Sequence, residues 1–489
     1  MAFRGSTASA ERRYRTVAII IVMLGVSMSA IDTTAVVLAL PVMIEDLHTS
    51  VLSVVWVLMS YLLVITVLGT QVGRLGDMFG RVRMYNVGFA LFTIGSLFCG
   101  ASVTDGQLIA FRVLQGVGGA LISSNSGAIV ADTFSLRERG RAFGITGLGW
   151  SIGAVLGILV GGAFVTFLSW RYIFFINLPI GIFATLAGHY FLEERSPRKK
   201  EVIDVGGIVL LGTSLLLILI FLMEITGSGW SSASGIGIGL GVAALIGFIA
   251  WERRARGPFL DLSLFRDRIF RSSSFAAFFQ SLANYAVIFL VIMYLQGPRG
   301  MSPWDASLLL IPGFVLGGLI APFSGRLSDR KGARIIASLG LALQAAGILV
   351  YSTLSMGSSV TLVVLGSVLN GAGTSSFFPA NTSAVMANAP PQAYGISAGL
   401  LRTMSNLGMV SSFAVALFFA SLAIPRDLAF EIFLGTGSGV SGELAQAYID
   451  GMHTALMVSI LLLMAALVLS LLRGREARTM QGPDPGGSR

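Results

Sequence analysis

Long apolar runs alternate with short polar breaks along almost the whole chain. Fourteen runs, at roughly 16–40, 51–71, 84–103, 107–131, 140–164, 170–191, 204–224, 234–251, 271–296, 304–324, 334–353, 359–386, 394–421 and 450–472, approach the ~20 residues that carry an α-helix across a bilayer. The runs are continuous rather than alternating, which excludes a β-barrel. A backbone in hydrocarbon must satisfy its own polar groups, so the pattern predicts an all-α polytopic membrane protein.

Two of the polar breaks repeat. GRLGDMFGRVR at 73–83 is echoed by GRLSDRKGAR at 325–334, each between two apolar runs. Gly73 and Gly325 are 252 residues apart, with eight spans across that offset. Six spans with short connections would take roughly 180 residues. The offset therefore predicts two six-helix bundles with two additional helices between them, an even insertion that keeps both loops on one side. The expected organisation is a tail at 1–15, a first bundle at 16–192, a linker at 193–203, the additional pair at 204–251, a second linker at 252–270, a second bundle at 271–472 and a tail at 473–489. A short interfacial helix is expected at 428–434.

Charge orients this frame. With both termini cytoplasmic, the inner loops and tails hold all but five of the 33 Lys and Arg; Arg112, Arg171, Arg299, Arg402 and Arg426 remain. The net charge of +9 is thus an orientation signal of an integral plasma-membrane protein, not a nucleic-acid footprint. Only 12% of residues are charged, about half the soluble norm. The 60 glycines suit closely packed membrane helices. Cys99 is the single cysteine, so no intramolecular disulfide and no multi-cysteine metal site is expected. The first run lacks a small-residue cleavage site and reads as a span, not a signal peptide.

Within the spans, Asp32 is the one acid in the middle of the first six. A carboxylate there is costly, hence functional by default, and burial favours its neutral form, which suits proton exchange. A structural partner for a buried arginine is the competing reading. Asp32 lies nine residues before Pro41, roughly 13 Å at 1.5 Å per residue, and Arg112 lies roughly 8 Å inside span 4. An Asp32–Arg112 pair, linked with Gln115, is expected. In span 5, Gly149, Gly153, Gly157 and Gly161, followed by Gly162, recur at four-residue spacing and predict a smooth face for close helix contact. In the repeated loop the glycines permit a tight turn. Asp77 suits a helix N-terminus, and Arg81 and Arg83 suit carboxylates or phosphates.

These motifs carry a resemblance. Gly73, Asp77, Gly80, Arg81 and Arg83, with Asp329 in the echo, resemble the signature loop of the major facilitator superfamily, which implies a cytoplasmic latch. Asp32-Thr33-Thr34 through Ala39-Leu40-Pro41 resembles the span-1 signature of its fourteen-spanner drug:proton antiporters. Arg112-Val113-Leu114-Gln115-Gly116 resembles the span-4 motif associated with proton coupling. The span-5 glycines resemble the antiporter motif, except that Ile158 stands where proline is usual, which removes an expected kink. Trp170-Arg171 through Asn177-Leu178-Pro179, and Tyr294-Leu295-Gln296, resemble the fourteen-spanner subgroup. The resemblance implies the major facilitator fold, a multidrug-efflux antiporter, antibiotic resistance as a phenotype, and a monomer. Arg402 resembles a usual feature of the subgroup and reads as structural.

In that fold the cavity lies at the midplane between the halves. Polar or aromatic mid-span candidates are Tyr61, Asn125, Trp150, Asn177, Gln280, Asn284, Tyr285, Asn370, Asn381 and Asn406, with Phe377 and Phe378 as an apolar wall. With Asp32 nearly alone as a membrane acid, amphipathic monovalent or neutral substrates are favoured. The expected partners are such a small molecule, protons and lipids, with no nucleic acid. The expected cofactors are none, with a proton gradient as energy source. No nucleotide-binding glycine loop is present, so ATP is not expected to drive the cycle. A dedicated exporter of one endogenous metabolite, peptide, sugar or lipid is the alternative. A membrane-embedded transferase is disfavoured, because His48, His189 and His453 are scattered and no catalytic or metal set appears.

Overall fold

The computed structural model describes residues 2–474 except 199, 256, 258–261, 389–393, 426–427, 430 and 433–441. Among the described residues, fourteen helices are long and apolar enough to cross a membrane. They are α1 Ala2–Asp46, α2 Val51–Phe79, α3 Arg81–Ala101, α4 Asp105–Thr133, α5 Leu136–Phe167, α6 Tyr172–Phe191, α7 Val205–Ser228, α8 Ser232–Glu252, α9 Arg268–Gln296, α10 Pro303–Lys331, α11 Ala333–Tyr351, α12 Val360–Asn388, α13 Tyr394–Leu422 and α14 Glu443–Leu472. The even number of crossings puts the start of α1 and the end of α14 on one side, called here the terminal side.

Caps written into the sequence set several starts. The hydroxyls of Ser50, Thr104 and Ser302 accept from the third backbone N–H beyond them, in the N-cap arrangement. The two repeated loops break their helices the same way. Gly80 has φ 112° and Gly332 has φ 94°, a left-handed region that disfavours any side chain. The last glycine of each motif is thus the residue on which the chain turns.

Each half packs as a bundle. In the first, α1 lies along α5 and α4 packs on α2 and α3. In the second, α12 packs on α10 and α11, and α9 on α13 and α14. The halves meet through α5 with α10 and through α2 with α13. The inserted α7 and α8 pack on each other, and α7 also lies against α2 and α13.

Three expectations change. The helix of span 1 does not end at Pro41; it runs through it to Asp46. Residues 1–15 are not a separate tail, because α1 is helical from Ala2. There Glu11 pairs with Arg195 at 2.7 Å, Arg15 with Glu138 at 3.1 Å, and the Tyr14 ring lies 3.7 Å from the Arg195 guanidinium. The Ser135 hydroxyl, helped by Arg15, holds the Glu138 carboxyl below its usual range. Arg473 does not begin an exposed tail. It is fully buried, donating to the Ala333 carbonyl at 2.9 Å and to Asn381 at 3.2 Å. The expected short helix at 428–434 lies partly outside the described residues; 428, 429, 431 and 432 are helical.

Candidate functional site

Asp32 sits on the face of α1 that turns into the first bundle, with no exposed surface. Its Oδ2 accepts from Arg112 Nη1 at 2.7 Å. Its Oδ1 accepts from Gln115 Nε2 at 2.8 Å and from Asn177 Nδ2 at 3.4 Å. Arg112 also donates to Gln115 Oε1 at 2.7 Å and, through Nε, to the Val57 carbonyl at 2.9 Å. Gln115 and Asn177 both donate to Ser96 Oγ, at 2.7 and 3.2 Å. The Tyr61 ring covers the guanidinium 4.2 Å away. Five helices, α1, α2, α3, α4 and α6, thus converge on one ion pair.

The sequence explains why they can come so close. Gly95 on α3 abuts the backbone of Gln115, where a Cβ would lie 2.8 Å from its nitrogen. Gly116 and Gly119 of the span-4 motif admit Val64 and Tyr61. The expected Asp32–Arg112–Gln115 set is therefore assembled as a dry, charge-neutral node. A buried charge of either sign would be costly alone, so separating the pair needs a compensating proton or ion.

The glycine face of α5 packs against the helix that carries Asp32. Gly149, Gly153, Gly157 and Gly161 meet Met23, Ser27, Ile31 with Thr34, and Ala35 in register, four residues per step on both helices. Gly162 belongs to a different contact, against Ser307 and Pro303 of α10. α5 is one helix, consistent with Ile158 in place of proline.

At the terminal side, the repeated loop forms a charge cluster. Arg81 bridges Asp77 at 2.7 Å and Asp132 at 2.6 Å. Asp132, at the end of α4, is half of this clamp. Glu194 accepts from the Arg83 backbone N–H at 2.8 Å and so caps α3. Arg74 donates to the Val202 and Gly257 carbonyls, at 2.7 and 2.8 Å, joining the loop to both ends of the inserted pair. Gly73 has room around it, with only Ser124 near a Cβ position. The side chain of Asp329 lies outside the described residues.

Most cavity candidates have other work. Tyr61 and Asn177 belong to the Asp32 node. Asn125 is buried against Gly76 under the loop, and Asn381 holds Arg473. Gln280 is buried and donates to Gln344 at 2.8 Å, while Asn284 accepts from Asn370 at 2.8 Å. Phe377 is buried against Gly340. Trp150 remains 40% exposed, and Tyr285, Phe378 and Asn406 are half-buried. Trp170 is buried, with its indole donating to Asp46 at 2.8 Å. Sequence reasoning missed Ser96 and Glu194.

The comparisons follow the same lines. The family model described as Major Facilitator Superfamily matches residues 22–413 and 273–487. The chain is 31% identical over 422 residues to "Riboflavin transporter RibZ" of Clostridioides difficile (strain 630), covering 86% of this chain and 90% of that protein. It is 33% identical over 395 residues to "Tetracenomycin C resistance and export protein" of Streptomyces glaucescens, covering 79% and 72%. An inward-facing bacterial homolog of the human lysosomal transporter Spinster superposes with a TM-score of 0.69 at 18% identity, over 94% of this chain and 97% of that one.

Proposed function

The chain belongs to the Major Facilitator Superfamily, and from that premise we propose that it is a secondary active exporter of amphipathic small molecules in exchange for protons. The observation that carries this reading is the buried Asp32–Arg112 pair, held by Gln115 and Asn177, with Asp32 on the helix that packs along the α5 glycines. The positive-rich terminal side is taken as cytoplasmic.

A proton arriving from the far side neutralises Asp32. Arg112 then loses its counter-charge, and Gln115 and Asn177 lose their strongest acceptor. α1 meets the α5 glycines through close backbone contacts and two hydroxyl bonds, Ser27 to the Gly149 carbonyl at 2.8 Å and Thr34 to the Ala154 carbonyl at 3.4 Å, so few bonds resist a shift of α1. The end states need differ by only a few kcal/mol for such a change to redistribute them. On the cytoplasmic side, the Arg81 clamp with Asp77 and Asp132 and the Arg74 contacts act as the latch. Tetracenomycin C export in one relative supports export of an amphipathic compound. A second reading, transport of a single metabolite, is favoured by the riboflavin transporter among the relatives.

Purified protein in proteoliposomes tests the proposal. An imposed pH gradient is expected to drive accumulation of fluorescent amphipathic dyes, with no requirement for sodium. Asp32→Asn is expected to abolish gradient-driven flux while retaining dye binding. Flux indifferent to the gradient, or intact in the Asn variant, overturns the coupling assignment. A panel in which one compound alone moves favours the single-metabolite reading.

A further inference from the structure

Arg402 lies on α13, eight residues from its start at Tyr394, or about 12 Å along the axis. It stands where the two halves meet. Its Nη1 donates to the Ser123 carbonyl of α4 at 3.1 Å, and the neighbouring Thr403 hydroxyl meets that of Thr70 on α2 at 3.1 Å. The Arg402 side chain is exposed, with Tyr285 in electrostatic reach. It therefore faces a space between the halves rather than packed core.

Its charge is what is unusual. Arg112 has Asp32, Arg81 has Asp77 and Asp132, and Arg171 has Asp46. Among the described residues no carboxylate lies within 4.0 Å of Arg402. One backbone carbonyl is a weak answer to a full positive charge at membrane depth, where such charges are rare and paired. The Asp32 node is neutral as a whole, so nothing there offsets it. A guanidinium also presents a planar fork suited to a carboxylate.

We propose that Arg402 is the anion-binding group of the transport cavity and takes the carboxylate of an amphipathic acid. The Ser123 carbonyl holds the fork in place and gives way when the acid arrives. The assignment rests on the exporter reading above and narrows its substrate class. It replaces the structural role expected for Arg402 from sequence.

Two ligands with one scaffold separate charge recognition from apolar fit. 1-Pyrenebutyric acid and its methyl ester, titrated by fluorescence anisotropy into protein in neutral detergent, give a ratio of acid to ester affinity. Arg402→Gln is expected to lower that ratio by about tenfold or more, with ester binding unchanged. Arg402→Lys, which keeps the charge but not the fork, is expected to restore part of it. Arg402→Ala serves where the Gln variant fails to fold. An unchanged ratio, or equal weakening of both ligands, overturns the assignment and leaves Arg402 as an inter-half contact. If the wild type binds neither ligand, the amphipath-exporter reading itself fails, and this assignment with it.

Discussion

At the scale of single residues, the Asp32 node is an ion pair closed by amide donors, with Arg112 Nη2 and Asn177 Oδ1 left without a hydrogen-bond partner. Asp32 accepts from three side chains, and Arg112 meets two side-chain acceptors and a backbone carbonyl. Removing the cation alone leaves a dry carboxylate with no counter-charge. Arg112→Ala is therefore expected to cost about 3–5 kcal/mol of stability, read as a fall in the melting temperature of purified protein. Replacing both partners, with Asp32→Asn and Arg112→Gln, is expected to recover most of that loss while leaving pH-driven transport absent. A double variant as unstable as Arg112→Ala would show that the ion pair is not the source of the cost. Asp32, Arg112 and Gln115 were legible because charge and amide groups are rare in apolar runs. Tyr61, Asn125, Asn177 and Asn381 were misassigned to the cavity for the same reason. A polar residue in mid-span must face protein, but the sequence does not say whether that protein is a neighbouring helix or an open space. Ser96 was invisible, since a serine in a membrane helix usually satisfies itself on its own backbone.

At the scale of elements, the informative contrast lies between glycines of one helix. On α5, a Cβ at Gly153 would lie 2.8 Å from the Ser27 Cα and 2.5 Å from its carbonyl oxygen, so the α1 backbone would have to retreat. At Gly147, on the same helix, nothing lies within 4 Å. Gly153→Ala is expected to destabilise the protein by about 1–3 kcal/mol and to slow transport, while Gly147→Ala leaves both near wild type. Thermal melting and initial rates in proteoliposomes check this, and equal effects at the two positions would sink the packing account. The glycine spacing announced a close-packed face, but not that the partner was the Asp32 helix or that Gly162 serves a different neighbour. Pro41 misled in the opposite way. It reads as the end of a span, yet α1 continues to Asp46, whose carboxylate holds Trp170 and Arg171. Those tertiary bonds anchor the turn beyond the proline, and no local preference predicts them.

At the scale of the whole molecule, the repeat that revealed two halves also shows where they differ. Asn284 stands at the same 252-residue offset from Asp32 as Gly325 from Gly73. Gly95 packs on Gln115 in the first half, and Gly347, at the same offset, packs on Asn370 in the second. The counterpart of the Asp32–Gln115 bond is thus the neutral Asn284–Asn370 bond, 2.8 Å in each case. One half carries an ionisable node and its mate carries amides, so the proton-exchange reading proposed above expects one proton site at this level of the membrane. That asymmetry fixes the charge balance. One proton entering as a neutral substrate leaves moves one positive charge inward, and a monoanion leaving makes it two. In proteoliposomes held at equal pH on both sides, a potassium diffusion potential set with valinomycin, of the polarity that drives protons in their coupled direction, is therefore expected to accelerate flux of a neutral dye. The effect is expected to grow for a monoanionic one and to vanish for a monocation. Asp32→Asn is expected to remove the proton's share, so that a neutral dye no longer responds to potential. Placing a second acid in the mate, Asn284→Asp, is the complementary arm. If it folds and carries a proton of its own, the monocation begins to respond to potential. A wild type whose monocation flux is already potential-driven would mean that a second proton moves by a route outside the Asp32 node.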